Sequence, residues 1–213
     1  MKSYIARPVG DPKGGVLLFQ DAFGVNDWLK SLGERLAKQG YLVVAPELFH
    51  RTAGDGFSAD YNDFERARPH YGALTVEGLL EDIREAHRVM REAGVADDRI
   101  SALGFCMGGR VAYLANTILP LKRAISFYGG GIDGLLERVP DLHAPMLFFW
   151  AGIDKTITTD LRRKTVDALA ASGKTATHVL FSDAEHGFFC EARSMYHPRA
   201  AQLAWPLMLE FLN

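Results

Sequence analysis

At 213 residues, 48% hydrophobic and 23% charged, the chain is long enough for one domain with a large buried core and short for two. A formal net charge of -2 excludes a global basic field, and with it the usual means of gathering nucleic acid or an anionic membrane. Two cysteines, Cys106 and Cys190, cannot build a multi-bridge framework and fit no zinc spacing; two free thiols are expected, with a single bridge as the alternative.

No apolar run follows Lys2, so a secretory signal is not expected. The longest apolar stretch, around Pro145 to Ala151, is about half a membrane span, and a cytoplasmic protein is the default expectation. In chain order, a strand over Gly15–Gln20 precedes a helical pattern over Asp27–Gln39 and a strand over Tyr41–Pro46. A long connection, Glu47 to Leu74, follows; its length suggests a functional loop, and leaves no room for a separate lid domain. Next come a helix over Thr75–Ala93, a strand over Ile100–Phe105, a helix over Gly108–Thr117, and strands over Arg123–Tyr128 and Met146–Ala151. The chain closes with a helix over Thr159–Ser172, a strand over Thr177–Phe181 and a helix over Pro198–Leu212. Most strands are continuous apolar runs, as strands buried on both faces require. Alternation with helices predicts one α/β domain, a mostly parallel, doubly wound sheet.

Gly104-Phe105-Cys106-Met107-Gly108-Gly109 stands between a strand and a helix. It matches the G-x-S-x-G nucleophile elbow with Cys in place of Ser. A strand-to-helix turn this sharp has no room for side chains two positions either side of its centre, and glycine supplies none. The dinucleotide fingerprint fails because Cys106 occupies its second glycine position, and no Walker-type Gly-Lys-Ser/Thr follows. A buried structural cysteine is the plain alternative.

An elbow of this kind needs an acid and then a histidine, each after a later strand. Asp154 follows the strand ending at Ala151, and His186 follows the strand ending at Phe181. Both therefore emerge at the carboxyl edge of the sheet, where open α/β sheets bind ligands. Asp183 competes as the acid but shares the loop of His186; His50 and His70 lie in the long connection, where they could touch substrate. The expected roles are Cys106 as nucleophile, His186 as base and then acid, and Asp154 as its orienter.

Nearly end to end, the chain resembles the dienelactone hydrolase family. The likeness is carried by Gln20-Asp21-Ala22-Phe23-Gly24-Val25-Asn26, the Cys106 elbow, Phe127-Tyr128-Gly129, Gly152-Ile153-Asp154 and Glu185-His186-Gly187-Phe188. The resemblance implies a lid-less α/β-hydrolase that cleaves a small ester or lactone bearing a carboxylate, without cofactor or metal. It also implies an oxyanion hole from the backbone N–H groups of Met107 and Ala22, with Tyr128 near substrate. Asp21 stands where members with dienelactone activity carry Glu, an acidic position associated with protonation of the thiol. Cys190 stands about where such members place a carboxylate-gripping arginine after the histidine. For a second arginine in the long connection, Arg66 and Arg68 are the candidates. A thioesterase or promiscuous carboxylesterase on the same machinery is the alternative enzyme, and a ligand-binding or redox-sensing relative the non-enzymatic one.

Overall fold

A computed structural model describes all residues, Met1–Asn213. Its frame is a seven-stranded sheet in the order β1-β3-β2-β4-β5-β6-β7. The strands are β1 (Ser3–Ala6), β2 (Gly14–Phe19), β3 (Tyr41–Pro46), β4 (Ile100–Phe105), β5 (Arg123–Phe127), β6 (Met146–Ala151) and β7 (Ala176–Phe181). All pairings are parallel except β1 with β3. β2, β3, β4 and β6 are buried at every residue, which explains their unbroken apolar runs, whereas the edge strand β7 is only partly covered.

The helices are α1 (Asp27–Lys38), α2 (His50–Ala53), α3 (Phe64–Gly72), α4 (Val76–Glu92), α5 (Met107–Ile118), α6 (Thr159–Ala171) and α7 (Pro198–Leu212). α1 begins where Asn26 Oδ1 accepts the Leu29 N–H at 3.0 Å; α4 begins where the Thr75 hydroxyl accepts from Gly78 at 3.1 Å. The five long helices fall within two residues of their expected bounds. No helix is long and apolar enough to cross a membrane.

Two features depart from the sequence reading. β1 carries no apolar run; it exists because its backbone pairs with β3 at the sheet edge, a tertiary cause that a local pattern does not register. The connection from Glu47 to Leu74 is not plain loop. It contains α2 and α3, and Ser58 forms an isolated bridge with Gly24. Ala22 and Phe23 meet Ala59 and Ala67 there in a small apolar cluster separate from the main core, flanked by Phe57, Tyr61 and Tyr71. Pro69 inside α3 hides the helix from propensity reasoning; the Asp63 cap on Arg66 N–H, at 3.2 Å, is the signal that marks its start.

Strand order places the site. The chain begins at the edge in β1, continues in β2, steps outward to β3 between β1 and β2, then crosses to β4 on the other side of β2 and moves on through β5, β6 and β7. The crevice at this reversal lies between the carboxyl ends of β2 and β4, which are paired in register with Phe19 opposite Gly104. The Asp21-Ala22-Phe23 loop and the Cys106 turn are therefore neighbours by topology.

Candidate active site

Cys106 occupies the turn between β4 and α5 with φ 55° and ψ -119°, one of two non-glycine residues with positive φ. The other is Tyr128, at φ 38°, just past the end of β5. Such backbone costs about 1–3 kcal/mol per residue and persists only where surroundings enforce it. Gly104 and Gly108 show the enforcement. A Cβ on Gly104 would lie 1.9 Å from the Gly108 carbonyl oxygen, and one on Gly108 would lie 2.2 Å from that of Phe19. The turn is backbone against backbone, and no side chain fits. Cys106 itself is partly buried and its thiol is free. Met107, the first residue of α5, offers an N–H with no intrahelical acceptor, at the positive end of the helix.

Opposite stands the loop after β2. Phe23 N–H donates to Asp21 Oδ1 at 2.9 Å, which turns the backbone through Ala22, and no protein group accepts the Ala22 N–H. Ala22 and Met107 are both buried.

Past β6, Asp154 Oδ1 accepts the N–H groups of Thr156 at 2.7 Å and Ile157 at 3.0 Å, leaving Oδ2 to His186 Nδ1 at 2.7 Å. Burial pushes the Asp154 carboxyl up, but the hydrogen bond and charge of His186 and the two N–H donors outweigh it and hold it below its ordinary range. Burial pulls the His186 imidazole down, yet the Cys106 charge and hydrogen bonds to Asp154 and Cys106 lift it to about 10. With Nδ1 engaged, Nε2 is the nitrogen left for the sulfur. The Tyr128 ring lies 5.0 Å from the imidazole, centroid to centroid. The structure thus brings Asp154, His186 and Cys106 together from the ends of three strands. Asp183 faces away toward His197, at 3.4 Å.

Asp21 is buried, and burial pushes its carboxyl up to about 6 against lowering by Phe23 N–H, Arg193, Tyr61 and His186. The Tyr61 hydroxyl is buried beside Asp21, Cys190 and Asn26 without an aligned hydrogen bond. Cys190 is a second free thiol, buried; burial first, and the Asp21 charge, push it up to about 11.

The arginine at this site is one the sequence reading missed. Arg193 lies over the rings of Phe23, at 5.5 Å, and Tyr61, at 5.6 Å, and its charge is felt at Asp21, Cys190 and Tyr128. It stands seven residues past His186, where a turn-rich loop returns it to the crevice; no local pattern announces that return. Arg68 is exposed and paired with Glu65, and Arg66 is exposed over the Phe57 ring, 5.4 Å away. His50 is held by Asp82 at 3.0 Å and His70 by Thr52 at 3.0 Å. No three His, Cys, Asp or Glu side chains are grouped to hold a metal ion.

Comparison with known proteins places the chain in a family. The family model described as "Dienelactone hydrolase family" matches residues 1–213. A Yersinia pestis protein provisionally named a carboxymethylenebutenolidase is 33% identical over 226 residues, covering 100% of this chain and 83% of its own length. The carboxymethylenebutenolidase of Pseudomonas putida is 29% identical, covering 98% of this chain and 89% of its own. Among solved structures, a provisionally named dienelactone hydrolase from Klebsiella pneumoniae superposes with a TM-score of 0.88 at 30% identity, over 99% of this chain and 91% of its own. On the fold, the elbow and these matches together, the chain belongs to the dienelactone hydrolase family, hydrolases that act on esters and lactones.

Proposed function

We propose that the protein hydrolyses a small carboxylate-bearing ester or lactone through an acyl-cysteine intermediate formed on Cys106. The observation that carries this reading is the 2.7 Å bond from Asp154 to His186 Nδ1, which leaves Nε2 to the sulfur at the elbow. His186 Nε2 takes the Cys106 thiol proton as the sulfur engages the substrate, and the charge left on the sulfur favours the imidazolium. The thiolate attacks the carbonyl carbon, and the oxyanion forms toward the N–H groups of Met107 and Ala22. As the C–O bond breaks, His186 protonates the leaving alkoxide, leaving a thioester. The thiolate charge that raised its affinity for a proton is then gone, and burial favours neutral imidazole. His186 therefore takes a proton from water as that water attacks the thioester. Collapse releases the acid, and the departing sulfur recovers its proton from His186. With a lactone, acid and alcohol leave as one molecule.

Arg193, rather than Arg66 or Arg68, is the residue we assign to the substrate carboxylate. It is cationic, half-buried at the crevice and without a carboxylate in salt-bridge contact, and a guanidinium suits such a group. Mixing with p-nitrophenyl acetate should give a burst of nitrophenol, and mass spectrometry of quenched enzyme should place one acetyl group on Cys106. Acetyl found elsewhere, or turnover with no acetyl group on Cys106 at any quench time, would sink the proposal.

A further inference from the structure

The segment after His186 is a closed loop. Cys190 N–H donates to Gly187 O at 3.0 Å and Arg193 N–H to Cys190 O at 3.1 Å, and His197 N–H shuts the loop on Phe188 O at 2.9 Å. A loop bonded this way shifts largely as a unit, so whatever holds its flank also holds the imidazole at its start. From inside, Phe189 stacks on Phe105 with centroids 5.5 Å apart. From outside, Glu191 divides its two carboxylate oxygens between two residues of α1. Oε2 accepts the Trp28 indole N–H at 2.6 Å, and Oε1 accepts from Arg35 at 2.8 Å.

An exposed Arg–Glu pair by itself contributes little to stability. This one differs in what lies on either side of it. Arg35 is braced over the Trp205 ring at 4.2 Å. The Trp28 ring meets Phe105 edge-on, 5.1 Å away at 85°, and Phe105 immediately precedes Cys106. One carboxylate therefore closes a path from the histidine's loop, through a single indole, to the strand end that carries the nucleophile.

We propose that Glu191 is a positioning residue for the hydrolytic reaction, clamping the loop after His186 to α1 and to the elbow so that imidazole and sulfur keep their alignment. The inference rests on the triad reading above. Glu191 does not touch the substrate; it acts through Trp28 and the loop. Alignment of nucleophile and base counts in the transition state rather than in substrate binding, so its loss lowers kcat and spares KM.

The test is steady-state hydrolysis of p-nitrophenyl acetate by Trp28→Phe, Glu191→Gln, Glu191→Ala and the double variant Trp28→Phe/Glu191→Ala. Trp28→Phe keeps a ring against Phe105 and deletes the indole donor. In Glu191→Ala, kcat should fall about tenfold, short of the ~100-fold that a 1 Å misplacement causes, with KM within about twofold. Trp28→Phe should lose about threefold, and the double variant should be no slower than Glu191→Ala because both remove one link. Glu191→Gln, which keeps an acceptor for the indole, should recover most of the rate. Wild-type kcat in both Glu191→Ala and Trp28→Phe, with only a lowered Tm, would overturn the positioning role and leave the triad reading intact. A wild-type enzyme that turns over without acylating Cys106 would overturn both.

Discussion

Asp21→Asn should stabilise the protein at neutral pH and leave its stability unchanged in acid. The side chain is 3% exposed, and its carboxyl titrates at about 6 in the fold against an ordinary value of 3.8. The folded state thus binds this proton more tightly than the unfolded state does. Stability falls as pH rises between those values, and the whole cost is present above 6. The gap is about 2 units at about 1.4 kcal/mol each, a cost of about 3 kcal/mol at pH 8. Asparagine keeps a carbonyl oxygen for the Phe23 N–H, now bonded at 2.9 Å, and carries no charge to desolvate. Urea unfolding of both proteins from below pH 3.8 to pH 8 should show a difference growing from near zero to about 3 kcal/mol, with the same denaturant slope. A difference constant across pH, or a variant less stable at pH 8, refutes the premise that a buried, ionised carboxylate sits here. The same variant tests whether Asp21 gates the thiol. Removing a negative charge near the crevice should speed alkylation of Cys106 by iodoacetamide near neutral pH, and an unchanged rate would show that Asp21 shapes only its own loop.

Cys106→Ala should abolish turnover and His186→Ala should lower it by orders of magnitude; ester hydrolysis at the wild-type rate in either removes that residue from the reaction. Asp154→Asn should lower kcat by about 10³-fold or more, because Oδ2 no longer fixes the Nδ1–H tautomer, and an effect on KM alone would contradict this. Gly108→Ala should destroy both fold and activity, since the added carbon meets the Phe19 and Gln20 carbonyls at 2.2 and 2.5 Å and neither backbone group can yield; a soluble, active variant would show the elbow is misread. Arg193→Ala should lower kcat/KM for an acidic ester far more than for its methyl ester, whereas Arg66→Ala and Arg68→Ala should leave the ratio unchanged; the reverse pattern would return the carboxylate site to α3.

Much of the frame was written locally. Buried parallel strands must be largely apolar on both faces, so most of β2 to β6 stand out as apolar runs, and amphipathic helices between them leave a doubly wound sheet as the consistent architecture. The same order put Asp154 and His186 at successive strand ends, and the glycines around Cys106 declared a turn with no room for a Cβ. What the chain could not announce was contact between segments that are locally unremarkable. β1 is a strand because β3 offers an edge. Tyr61 reaches Asp21 because a short helix packs a second small core against the loop after β2. Arg193 reaches the crevice because a closed loop carries it back against Gly187, and Glu191 is bonded to an indole 163 residues away. Strand and helix periodicity is imposed by backbone geometry and burial within a few residues, so sequence records it. Which charged side chain enters the crevice depends on the paths of loops, and those are set by packing partners far along the chain.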